Sequence, residues 1–184
     1  MNLKEIPPSK VFHLIEPGPV VLLTTSDKGH DNVMTMSWTM MLDFEPAKIA
    51  CCVSESNYSF KALLKNKECV IAIPTVDMAA KVVDVGNCSG EDEDKFSKFG
   101  LTALPAMKVK APLVAECLAN IECRVIDTKM VKKYNLFVLE AVKAWTNPKH
   151  KEKRTFHAIG DGTFVADGKT FNLKRKMVKF KDLL

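Results

Sequence analysis

Seven consecutive residues, Asn32-Val33-Met34-Thr35-Met36-Ser37-Trp38, mix amide, hydroxyl, thioether and indole groups in one short run. At the two-residue period of a β-strand they separate into two unlike faces. Val33, Thr35, Ser37 and Thr39 fall on one side; Asn32, Met34, Met36, Trp38 and Met40 fall on the other. Such a strand suits contact with a flat, partly polar, redox-active ring, whose polar edge hydroxyls and backbone amides can bond and whose apolar face an indole or thioether can cover. An ordinary strand also fits, with the methionines filling core space and Thr35 and Ser37 facing solvent. Taken alone, the segment favours that ordinary reading.

Further segments carry chemistry of other kinds. Ser54-Glu55-Ser56-Asn57 reads as a helix start, and a helix N-terminus presents unpaired amides and partial positive charge. With Ser54, Ser56, Asn57 and Ser59 as hydrogen-bonding groups and Lys61 as a cation, it suits a phosphate. A plain N-cap beside an exposed lysine explains the same residues, and the local sequence favours it. Asn87-Cys88-Ser89-Gly90 is a cluster of small residues permitting close backbone approach to a ligand, with Cys88 either lining a redox site or buried as an inert thiol. In Glu91-Asp92-Glu93-Asp94-Lys95-Phe96 the acids suit a first helical turn, and Lys95 either enters a pocket or is solvated and ion-paired.

The elements that must position these groups are mostly strands. Val20–Thr25 and Val33–Met41 flank a hairpin turn at 27–32, and Lys48–Val53 follows a turn at Asp43–Pro46, giving a β-meander. A helix with Phe60, Leu63 and Leu64 as its apolar stripe leads to a strand at Cys69–Ile73. A second helix, about Thr75–Val85, places Met78, Val82 and Val85 together and stops at Gly86. A short acidic-started helix precedes Gly100, and an extended link is bracketed by Pro105 and Pro112. Long strands follow at Glu116–Asp127 and Asn135–Trp145, and the segment D-G-T-F-V-A-D-G is a hairpin. The first ten residues are an extended lead-in. Without regular βαβ alternation, a mainly β (α+β) fold follows: a small antiparallel β-barrel with helical insertions.

Composition narrows the classes. The 184 residues suffice for a single domain, 1–184, with a real core; 47% are hydrophobic and 27% charged, as in soluble globular proteins. Neither a signal peptide nor a membrane span is evident. The six cysteines include no C-x-x-C, and the four histidines lack metal-ligand spacing, so no metal site is expected. Cys51, Cys52, Cys69, Cys117 and Cys123 lie in apolar runs and read as core residues, in a reducing, cytoplasmic setting. A net charge of +5 is weak for nucleic acid, and the basic run Lys174–Lys181 reads as a solvated tail. Nucleotide-loop and nucleophile-elbow motifs are absent, so an enzyme of this sequence draws its chemistry from a cofactor.

Ordered motifs add a resemblance. Asn-x-Met-Thr-x-Ser-Trp at 32–38, Phe44-Glu45-Pro46, the Ser54–Lys61 segment and a strand ending in Ile73-Pro74 together resemble the flavin reductase-like FMN-binding split barrels. Cys88-Ser89-Gly90-x-Asp-x-Asp-Lys-Phe, the run from Pro112 to Cys123 and Phe156–Phe164 sharpen this to the flavoredoxin branch. The resemblance covers about Pro17–Asp167 and implies a split β-barrel homodimer with one FMN per subunit near the interface. It implies electron transfer through the flavin, as a carrier or as an NADH- or NADPH-dependent reductase with a small-molecule or protein redox partner. The alternative is a non-catalytic flavin or small-ligand module. By motif, Asn32, Thr35, Met36, Ser37 and Trp38 would border the flavin, and Cys88, Ser89 and Lys95 would reach it. Ser54, Asn57, Ser59 and Lys61 would hold its phosphate, and Phe164 would approach from the tail, from either subunit. The chain departs from the family near Asn57, where many members carry a basic residue. It departs again at Tyr134, which stands nearest the position of a family histidine.

Overall fold

The computed structural model describes residues 18–176. The lead-in 1–10 and most of the basic run Lys174–Lys181 lie outside the described residues. β1 (Val21–Asp27) and β2 (His30–Met36) form a two-residue hairpin whose turn residues, Lys28 and Gly29, both have positive φ. β3 (Thr39–Phe44) and β4 (Ala47–Cys52) form the next hairpin, and β5 (Glu68–Ile73), β8 (Ala119–Asp127) and β9 (Leu136–Thr146) complete an antiparallel sheet. The order across its seven strands is β2-β1-β5-β8-β9-β4-β3.

This order corrects the reading of 33–41 as one strand. β2 and β3 are consecutive in the chain yet form opposite edges of the sheet. The Thr39 amide donates to the Ser37 carbonyl at 3.0 Å, a three-residue turn around Trp38 that breaks the run. The sheet therefore curls until its edges meet at Ser37–Trp38, and with no pairing between β2 and β3 the barrel stays open. Side-chain alternation continued through the break and hid it.

Buried strands explain the apolar runs. β1 is covered on both faces: Val21 and Leu23 join one core with Ile71, Cys69, Phe137 and Leu139, while Leu22 joins a second with Val82, Val85 and Phe96. Phe60 and Leu63 of α1 (Ser59–Asn66) pack into the first core, whereas Leu64 is exposed. α1 starts later than the serines suggest, because 54–57 form a turn stapled by the Ser54 amide on Asn57 Oδ1 (2.9 Å). After a 3₁₀ turn at Val76–Met78, α2 (Ala79–Gly86) seats Val82 and Val85 in the second core. α3 (Lys95–Lys98) is capped by Asp94, whose carboxylate accepts from the Ser97 amide at 3.2 Å.

The proline-bracketed link is flanked by a small pair, β6 (Ala103–Leu104) just before Pro105 and β7 (Leu113–Val114) just after Pro112. Buried Glu122 holds this link to the sheet by accepting from the Met107 and Lys108 amides and from Trp145 Nε1 (2.7 Å). Burial would raise its pKa, but these donors outweigh it and hold the carboxyl below its usual range. α4 (Val131–Tyr134) joins β8 to β9. The final hairpin pairs β10 (Phe156–Ala158) with β11 (Phe164–Ala166), so the D-G-T-F-V-A-D-G segment supplies only its second strand. Cys51, Cys69, Cys117 and Cys123 are buried as expected, but Cys52 is only half-buried because it ends β4 beside an open groove.

Candidate functional site

The broken strand lies along a groove of three adjoining cavities. At one end, about 290 Å³ lies among Thr35–Trp38, Cys52, Ser54 and Tyr134. The middle, about 230 Å³, lies between Met34 and Thr35 on one side and Gly86–Gly90 with Lys95 on the other. The far end, about 390 Å³, includes Asn32, Glu55, Tyr58, Lys61 and Glu91. Asn57 borders all three, which makes the trough continuous. Beyond it, a cavity of about 420 Å³ carries Asp31 and Glu91–Asp94 and shares Tyr58 with the groove.

Two strand faces and two helices set this geometry. The Thr35 hydroxyl donates to the Val82 carbonyl of α2 at 2.5 Å. A side chain begun at Gly86 would stand 3.3 Å from Thr35 Cβ, so the glycine lets helix and strand approach. Asn32, on the other face, is buried and donates from Nδ2 to Ser59 Oγ at 2.8 Å, tying β2 to α1. Met36 points into the first core and Met34 packs partly against it, so these two thioethers are core fillers in part. Trp38 and Met40 are exposed, so the expected row of methionines and tryptophan divides at the strand break.

Lys95 is 4% exposed, which excludes the solvated reading. Its Nζ donates to the Val85 carbonyl near the end of α2 at 2.9 Å. Burial holds its pKa below the usual lysine range, partly offset by Cys88 nearby. Cys88 is half-buried, with Sγ 3.9 Å from the Asp84 carbonyl. Gly90 makes the close approach expected of its loop, but to protein. A Cβ there would meet the Asn32 amide and come within 2.8 Å of the Tyr58 ring.

Ser54 Oγ lies 2.9 Å from Ser56 Oγ, in the turn ahead of α1. The Phe60 amide donates to the Asn57 carbonyl at 3.0 Å, and the helix has no acidic residue in its first turn and no side-chain cap at Tyr58. Lys61 is exposed in the far cavity and forms no ion pair with a described residue. The groove thus brings together Asn32, Thr35, Met36, Ser37, Trp38, Ser54, Asn57, Lys61, Cys88, Ser89, Lys95 and Tyr134. Ser59 is behind its wall, bonded to Asn32, and Phe164 is apart from it, on β11 edge-on to Phe156 at 5.8 Å. Sequence reasoning gave no separate role to Tyr58 or Asn135. The positive φ of Asn135 is the kind of signal that an Asn after a short helix carries.

Among the described residues no group of three or more His, Cys, Asp or Glu side chains is arranged to hold a metal ion, and no helix is long and apolar enough to cross a membrane. Comparison with known proteins gives a family model, the flavin reductase like domain, matching residues 14–161. The chain is 33% identical to an uncharacterised protein, YddH, of Escherichia coli (strain K12), over 85% of this chain and 90% of the relative. Among solved structures it is similar to an FMN-binding domain of a flavin reductases-like enzyme from Shewanella baltica OS155, with TM-score 0.77 and 28% identity, covering 93% and 97% of the two chains. It also shares the fold of a flavoredoxin from Methanosarcina acetivorans, with TM-score 0.80 and 24% identity over the whole of both chains.

Proposed function

Because the chain belongs to the flavin reductase-like domain family, we propose that it binds FMN in this groove and passes electrons through it. One observation carries the reading: a continuous trough joins the Thr35–Trp38 strand end, the buried Lys95 ammonium and the start of α1 with the exposed Lys61. The fit extends to Gly90, whose lack of a side chain lets the Asn87–Asp94 loop close against Asn32 and Tyr58 without filling the trough.

Bound flavin supplies the electron-carrying chemistry. Residues of the chain orient it and set its electrostatic surroundings. Lys61, the Ser54–Asn57 turn and the α1 amides hold the phosphate. Ser59 acts at one remove, fixing Asn32 at the groove wall. Thr35, Ser37, Cys88, Ser89 and Lys95 border the ring, with Met36 behind them; Trp38 and Tyr134 close the open end. The buried Lys95 would place a cation beside a bound flavin, an arrangement that would favour its more negative, reduced form. NADH or NADPH is the donor in a reductase role, and another protein in a carrier role. The second subunit of a homodimer covers the exposed Met40, Met41, Leu42 and Phe44 of β3, and the exposed Phe164 reaches the site from that copy.

The phosphate assignment is tested by equilibrium titration of apoprotein with FMN and with riboflavin, which lacks the phosphate. Lys61→Ala is expected to weaken FMN by about tenfold or more and to leave riboflavin unchanged. Equal affinity of variant and parent for FMN would place the phosphate elsewhere.

A further inference from the structure

The last turn of α2 is held from outside the helix by side chains that border the groove. The final four carbonyls of an α-helix have no partner within it. Here the Val85 carbonyl accepts from Lys95 Nζ at 2.9 Å, and the Asp84 carbonyl accepts from the Asn87 amide at 3.1 Å. Cys88 Sγ adds long contacts of 3.9 Å and 4.0 Å to the Asp84 and Val85 carbonyls. Just before them, the Val82 carbonyl takes the Thr35 hydroxyl at 2.5 Å. Thr35, Gly86, Cys88 and Lys95 all line the middle cavity, so the end of α2 is part of its wall.

These bonds redefine the role of Thr35. A threonine hydroxyl carries one proton, and that of Thr35 goes to α2 instead of to a ligand in the groove. The same residue meets the helix a second time: a Cβ at Gly86 would stand 3.3 Å from Thr35 Cβ and 3.5 Å from its Oγ1. Val82 and Gly86 are four residues apart and share one face of the helix, so Thr35 fixes the last turn at both its ends. Val85 lies between those two points. Its side chain is buried in the second core, and its carbonyl is the one that receives Lys95. Lys95 opens the four-residue α3 and forms no ion pair with a described residue. Where the end of α2 stands therefore sets where this cation stands, and the negative end of the helix dipole favours it there.

We propose that Thr35 is a positioning residue for Lys95: its hydroxyl fixes the last turn of α2 and, through the Val85 carbonyl, keeps the Lys95 ammonium in the groove. The proposal rests on the flavin reading for what the cation does, which is to favour the reduced cofactor, but not for how the cation is held.

Two measurements test it, one of them without flavin. In flavin-free protein, acetylation of Lys95 by succinimidyl acetate is followed by peptide mass spectrometry, with exposed Lys129 as internal standard. Thr35→Val keeps nearly the same shape and removes the hydroxyl; it is expected to raise the Lys95 rate about fivefold, and Thr35→Ser to restore the parent rate. In FMN-loaded protein, the midpoint potential of the flavin is expected to fall in Thr35→Val and in Lys95→Met, and the double variant to match Lys95→Met alone. An unchanged Lys95 rate or an unchanged potential in Thr35→Val would overturn the proposal, as would failure of Thr35→Ser to restore the rate. A double variant displaced by the sum of the two single shifts would overturn it too, by showing that Thr35 acts on the cofactor directly. Should Thr35→Val not fold, as judged by circular dichroism, Thr35→Ala is read in its place. If the protein holds no FMN, the flavin reading fails separately, and the acetylation rates still decide whether Thr35 holds Lys95.

Discussion

The Lys95 ammonium is enclosed, and among the described residues it donates to the Val85 carbonyl at 2.9 Å. Taking a charge out of water without a carboxylate partner costs stability, and the lowered pKa expresses that cost. Its pH dependence has a definite sign. Below the folded-state pKa the cost is present in full. As pH rises from there toward the ordinary lysine value of 10.5 the folded chain gives up the proton more readily than the unfolded chain, and the cost disappears. The parent chain is therefore expected to gain stability relative to Lys95→Met between pH 7 and pH 10, measured as the difference in urea unfolding free energy. A difference independent of pH would show that Lys95 is not strained by burial. An arrangement that disfavours its own cation is understandable beside an anionic cofactor, which restores the missing partner. Little of this is legible from the sequence, where Lys95 follows four acids and looks solvated; its burial depends on α2 and β2 closing over α3.

At the scale of elements, the groove exists because β2, the turn before α1 and the loop after α2 meet at Asn32. Gly90 is the point of closest approach, and Gly90→Ala is expected to displace Asn32 or Tyr58 and to loosen the Asn32–Ser59 bond. A loss of about 1–3 kcal/mol in stability, read by urea unfolding, should accompany weaker FMN retention in a chain that still folds. Unaltered stability and retention would show that the loop simply moves aside. The β1–β2 hairpin is readable from sequence because Lys28-Gly29 supplies two residues able to take positive φ between alternating runs. The α2 face is readable because Val82 and Val85 share a stripe. The β2–β3 break is not, since Ser37 and Trp38 carry no glycine or proline and the partners on either side are decided by distant strands. The role of Glu122 is hidden for the same reason: its donors lie 14 to 23 residues away in sequence.

For the whole molecule, the curled, unclosed sheet leaves β3 as an edge bearing Met40, Met41, Leu42 and Phe44, all exposed. An apolar edge of this kind invites pairing with another surface. In a homodimer that covers it, sedimentation velocity should give a dimer mass for the parent chain and a shift toward monomer for Phe44→Lys; a monomeric parent would exclude the arrangement. Of the family features, the ordered motifs reported fold and groove because each sits where elements meet, while donor and acceptor are set by surfaces that no single motif encodes. The central claim, flavin in the groove, is tested most directly by the visible absorption spectrum of the purified protein after addition of FMN and removal of excess by gel filtration. Flavin bands that co-elute with the protein at near one FMN per chain are the expected result; a colourless protein fraction would contradict the account.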